Sequence, residues 1–133
     1  MRGTDGKFVN TLEHDLPNPG NLGRAELRLM GSGHWKIFDS GEPRTPKGSF
    51  NYIVQNGTVY VGTGNAAQVH VDIARGNPVE YAGRIIFRAG KATKGMLNFW
   101  NNASGHYIPE PLQPEWAESI KLPVDKFKAY EYD

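Results

Sequence analysis

At 133 residues, 38% of them hydrophobic and none of them cysteine, the chain has room for one core and cannot cross-link it. The missing cysteines exclude disulfides, thiol nucleophiles and cysteine-based zinc sites. Fifteen basic residues against fourteen acidic leave a formal charge of +1, so no global field selects nucleic acid or anionic lipid, although a local basic patch stays open. No apolar run approaches the roughly 18 residues that span a bilayer, and no apolar h-region opens the chain, so no membrane partner is expected. Sixteen glycines and nine prolines disfavour long helices. The fold class expected is α+β and mainly antiparallel: about six short strands in a curved sheet, with one or two short helices.

Residues 1–24 hold little apolar material, and Leu16-Pro17-Asn18-Pro19-Gly20 cannot continue a helix. They read as an extended arm or a linker remnant, with one domain over 25–133. Asn21–Met30 reads as a short helix capped by Asn21, although Glu26-Leu27-Arg28-Leu29 also alternates. His34–Phe38 is a short strand, and Glu42–Gly48, with Pro43 and Pro46, an ordered loop. Ser49–Val61 is the clearest element: Phe50, Tyr52 and Val54 alternate, Asn56-Gly57 turns, and Val59 and Val61 alternate again, the pattern of a type I′ hairpin.

Gln68–Ala74 alternates as a strand, with Val69, Val71 and Ile73 on one face and His70, Asp72 and Ala74 on the other. Val79–Arg88 is a longer strand with an apolar centre, and Met96–Trp100 the next. The polar loop Asn101-Asn102-Ala103-Ser104-Gly105-His106-Tyr107 follows at once. Donors and acceptors at a strand exit are what a site requires. Glu115–Ile120 reads as a short helix, Leu122–Phe127 docks the end of the chain, and Lys128–Asp133 alternates as an edge strand.

Histidine titrates near neutrality and is the usual general acid or base. His70, beside Asp72, and His106, in the polar loop, are the two candidates. Metal-free RNA cleavage needs one group to take the 2′-hydroxyl proton, another to protonate the leaving oxygen, and a cation for the phosphate. His70 and His106 supply the first two, and Arg75 or Lys47 the third. Glu80 is an alternative base, and Ser104 and Asn101 hold the phosphate by hydrogen bonds. Tyr107, Trp100 or Tyr81 stack on a base. No HExxH and no His-x-x-x-His occurs, so a metal hydrolase is poorly supported, and the lack of a G-x-S-x-G elbow disfavours a serine hydrolase; no metal and no cofactor is expected.

The segments HVDIARG (70–76, with Val69 before it), PVEYAGRIIF (78–87), WNNASGHYIP (100–109) and LPVDKF (122–127) resemble the C-terminal toxin modules of bacterial polymorphic toxins, of the Rhs-repeat and contact-dependent inhibition kinds. The resemblance spans about residues 34–127. It implies a small module carried by a larger protein, delivered into a target-cell cytoplasm and matched by an immunity protein. Many such modules are nucleases, and others are ADP-ribosyltransferases, deaminases or NAD-degrading enzymes. The lack of cysteine argues against the zinc deaminases. A metal-independent ribonuclease acting on RNA is the favoured reading. The alternatives are an NAD-using toxin, with His34, Tyr52 and Glu80 as its triad, and a glycan-binding β module stacking sugars on Trp35, Trp100, Tyr107 and Trp116.

Overall fold

The computed structural model describes residues 7–9, 24–31, 33–38, 42–62, 70–75, 77–88, 90–104, 107, 109, 112, 120 and 122–130, without the side chains of 71 and 72. Among the described residues, six strands, β1 (Arg24–Leu29), β2 (Trp35–Phe38), β3 (Gly48–Gln55), β4 (Thr58–Gly62), β5 (Tyr81–Phe87) and β6 (Leu97–Trp100), one α-helical turn, α1 (His70–Ile73), and two 3₁₀ turns, Lys91–Thr93 and Val124–Lys126, make up the regular structure. The strands form one antiparallel sheet in the order β2-β1-β4-β3-β5-β6, curled into a half-barrel. The class is therefore α+β and mainly antiparallel.

The hairpin at the centre forms as its sequence requires. Asn56 and Gly57 take φ of 54° and 79°, the two left-handed positions of a type I′ turn. That turn sets the register Gln55↔Thr58 to Tyr52↔Val61. One face of the sheet is then fixed by alternation: Tyr52, Val54, Val59, Val61, Tyr81, Ile85 and Phe87 all point inward and are buried. The curl is tight enough to bring Trp35 of β2 edge-on to Phe87 of β5, ring centroids 6.4 Å apart.

Two elements differ from the sequence reading. Residues 24–29 form strand β1, not a helix. Ala25 and Leu27 are buried while Arg24, Glu26 and Arg28 project the other way, and β1 pairs with both β2 and β4. Helix-prone letters yield here to a sheet with two open edges to fill. Residues 70–73 form α1, not a strand. His70, Ile73 and Ala74, at helical spacing, are buried, and the Ala74 amide donates to the His70 carbonyl at 2.9 Å. The segment fits both periods, and the helix packs on β3 and β4, with the Gln55 amide on the Ala74 carbonyl at its end.

Of the N-terminal arm, Lys7–Val9 is described: Phe8 is fully buried, its main chain exchanging 2.6 and 2.8 Å bonds with Val79, and its ring lies edge-on to Tyr81. At the other end, Pro123–Phe127 docks on β6, with the Phe127 ring 4.8 Å from that of Trp100. Lys128–Tyr130 runs on without strand structure, held by the Lys128 amide on the Trp100 carbonyl. Residues 131–133 lie outside the described residues, as do 115–119 of the expected helix Glu115–Ile120.

Candidate functional site

Beyond Trp100 the chain turns across the inner face of β5. It can do so because position 83 is glycine: a Cβ there would stand 1.9 Å from the Asn101 carbonyl oxygen. That carbonyl accepts the Tyr52 hydroxyl at 2.7 Å. Asn102, fully buried, ties two more segments to it, its Nδ2 donating to the Pro109 carbonyl at 2.8 Å and its Oδ1 accepting the Tyr130 amide at 2.7 Å. Ser104 Oγ accepts the Tyr107 amide, and the Tyr107 hydroxyl donates to the Asn77 carbonyl at 2.8 Å. Burial pushes the Tyr107 phenol well above its ordinary titration range.

The residues singled out from sequence therefore part company. Trp100 and Tyr107 are fully buried, Trp100 with its indole N–H on the Pro123 carbonyl at 2.7 Å, so neither ring offers a base a free face. Their aromaticity is used in the core, where Tyr52 and Tyr81 meet Trp100 edge-on. Ser104 is 2% exposed and spent on its own loop. His70 is 6% exposed; its Nε2 lies 2.6 Å from the Gly83 carbonyl, which can only accept, so Nε2 carries a proton. Because 70–73 is helical, the shared strand face that paired His70 with Asp72 does not exist, since helical residues two apart do not face each other.

Glu80 accepts the Gly57 amide at 3.1 Å through Oε1, and its buried Oε2 has no partner among the described residues. Arg75 is exposed at the end of α1, with φ of 55°, and Lys47 is exposed at the entry to β3. His106 lies outside the described residues. His34, Tyr52 and Glu80 occupy three neighbourhoods: His34 beside Gly95, Tyr52 under Asn101, and Glu80 against the β3–β4 turn. Trp35 is also buried, and Trp116 lies outside the described residues, so the sugar-stacking platform loses three of its four rings.

Asn101, of the predicted set, lines a cleft. Its Oδ1 accepts the amides of Arg84 (2.9 Å) and Ala103 (3.0 Å). Around it, Ser49, Arg84, Ile86, Phe99, Ala103 and Tyr130 line a hollow of about 560 Å³ on the outer face. Lys128 Nζ stands 4.6 Å from the centre of the Phe99 ring. A hollow of about 590 Å³ at the β1–β4 end is instead floored by Leu27, Trp35, Val59 and Leu122, and its charges Glu26 and Arg28 are bonded to each other.

The outer cleft belongs to a wider pattern. The six strands carry five charged residues, Arg24, Glu26, Arg28, Lys36 and Arg84, and register puts all five on the outer face. Aromatic rings underlie three outer cations: Arg24 over Tyr60 at 3.9 Å, Arg28 over Phe38 at 4.4 Å, and Lys128 over Phe99. Cations interleaved with rings are what single-stranded nucleic acid requires, phosphates meeting the charges and bases the π-faces. Sequence reading missed Arg24 and Tyr60 as a pair because β1 reads as a helix, and missed Phe99, Lys128 and Tyr130 because they converge from β6 and the C-terminal tail. The alternation Arg24-Glu26-Arg28 against Ala25-Leu27 was the available signal. Among the described residues no group of three His, Cys, Asp or Glu side chains is placed to hold a metal. Comparison of the chain with models of known families, with curated proteins and with solved structures returned no match.

Proposed function

We propose that this chain is an RNA-directed effector domain, a metal-independent ribonuclease of the polymorphic-toxin kind that grips a single strand on the outer face of its sheet. The observation that carries the reading is the segregation of charge: a chain with net charge of +1 places every charged residue of the six described strands on one face, four of the five basic, with rings under two of those cations, Arg24 and Arg28. Such a face supplies locally the phosphate contacts that dominate affinity for nucleic acid. Arg84 is the cation assigned to a phosphate in the cleft, Asn101 and Ser49 its hydrogen-bonding neighbours, and Phe99 and Tyr130 the surfaces for a base.

Cleavage moves the 2′-hydroxyl proton to a base, closes a cyclic phosphate and protonates the departing 5′ oxygen. His106 is the acid–base residue assigned to that work; it follows Ala103, on the cleft wall, by three residues. His70 in this reading is a clamp between α1 and β5. An immunity protein, a carrier in cis and delivery into a target-cell cytoplasm complete the proposal.

The test compares wild type with His106→Ala, His70→Ala and Arg84→Ala. Total RNA is run on a gel after expression, and binding of a single-stranded RNA is measured across a salt series. RNA fragmentation lost in His106→Ala with binding retained is the expected result. Intact RNA and no RNA binding by the folded wild type would overturn the reading. In that case saturable sugar binding would favour the glycan module, and stabilisation by NAD the NAD-using class.

A further inference from the structure

Arg24 and Arg75 form a second cationic centre, apart from the cleft. Arg24 opens β1, which β4 and β3 separate from the Arg84 strand, β5. Its guanidinium carbon stands 3.9 Å from the centre of the Tyr60 ring, and Nη1 donates both to Gln55 Oε1 at 2.8 Å and to the Ile73 carbonyl at 3.1 Å. Gln55 is itself fixed, its Nε2 shared between the Ala74 and Pro78 carbonyls at 3.2 Å. The fork is thus held by one nitrogen, and among the described residues no carboxylate bonds the other two. Arg75, exposed two residues beyond Ile73, is close enough to repel it: burial first, and Arg75 second, push the Arg24 pKa down. A fork pre-oriented by a buried amide, with an exposed second guanidinium carried two residues beyond the carbonyl it bonds, can receive an anion.

We propose that Arg24 and Arg75 form a phosphate subsite on the outer face, taking a phosphate mono- or diester through the open nitrogens of the Arg24 fork. Its assignment to an RNA phosphate rests on the RNA reading proposed for the cleft, whereas its affinity for phosphate does not. A purely structural Arg24 would clip β1 to α1 and show no preference among anions.

The experiment measures the melting temperature of wild type, Arg24→Lys and Arg75→Ala in inorganic phosphate against chloride at equal ionic strength. Phosphorus NMR line-broadening serves as the direct readout. At about ten times the dissociation constant, phosphate is expected to raise the wild-type melting temperature by about 4–6 °C over chloride. The increment should vanish in Arg24→Lys, which keeps the charge and loses the fork, and shrink in Arg75→Ala, whose exposed site leaves the fold intact. Equal melting temperatures in the two salts, or an increment unchanged in both variants, overturns the subsite. A single-stranded RNA with and without a 5′-phosphate separates the ligands. Phosphate binding without RNA binding keeps the subsite and discards the RNA reading. RNA binding that ignores both variants, with no phosphate effect, discards the subsite and keeps the RNA reading.

Discussion

The two faces of this sheet are made by the same strands and differ in what their polar groups are for. On the inner face the polar groups are paired within the protein: Tyr52 on the Asn101 carbonyl, Asn102 on Pro109 and Tyr130, Tyr107 on Asn77, and the Trp100 indole on Pro123. Buried polar groups must be satisfied this way, and once satisfied they specify a fold. On the outer face Arg84 and Lys128 stay exposed, and Arg24 is bonded through one nitrogen of its fork. A polar residue type therefore says little about function until the face it occupies is known.

The contrast breaks most sharply at Gly83. Gly83→Ala forces a Cβ into the Asn101 main chain, and about 3 kcal/mol of stability or more should be lost in chemical denaturation. A near-neutral result would mean that the loop does not lie on β5. Next comes Asn102→Ala, which takes the partner from the buried Pro109 carbonyl and from the part-buried Tyr130 amide; about 2–3 kcal/mol is expected by the same measurement.

Tyr107→Phe sharpens the comparison through pH. The folded-state phenol titrates above its unfolded value of 10.0, so its contribution to stability is complete below that pH and is lost as pH rises above it. Wild type should lose stability more steeply above pH 10 than Tyr107→Phe, while the variant gives up about 1 kcal/mol at neutral pH for its missing hydrogen bond to Asn77. Parallel curves in alkali would show that the hydroxyl is not buried.

The smallest effect on the fold belongs to the outer face. Arg84→Ala should change stability by less than about 0.5 kcal/mol, yet lower the salt dependence of RNA binding by about one phosphate contact. Loss of folding in that variant would place Arg84 with the inner-face residues.

Much of the scaffold was legible in the letters. The central hairpin follows from Asn56-Gly57 between alternating runs, and Tyr81–Phe87 and Leu97–Trp100 from their apolar content. The site was less legible. Asn101 was identified as a polar group at a strand exit and does line the outer cleft. Trp100 points inward by its register opposite Ile85, and Tyr107 and Ser104 are buried beyond it, where the chain crosses β5 at a glycine close enough to pack its side chains inward. His70 was read on a polar strand face and is instead the buried first residue of α1.

What the sequence determined by itself was local: turn chemistry, the alternation of the hairpin, and the absence of a long apolar helix. Those depend on backbone conformation and on neighbours a few residues away. What only the tertiary structure decided was which of two permitted periods Arg24–Leu29 and His70–Ile73 would follow, and so which face each charge would occupy. Both segments satisfy strand and helix spacing about equally. The choice falls to the surface each one covers: open edges of β2 and β4 in the first case, and the flank of β3 and β4 in the second.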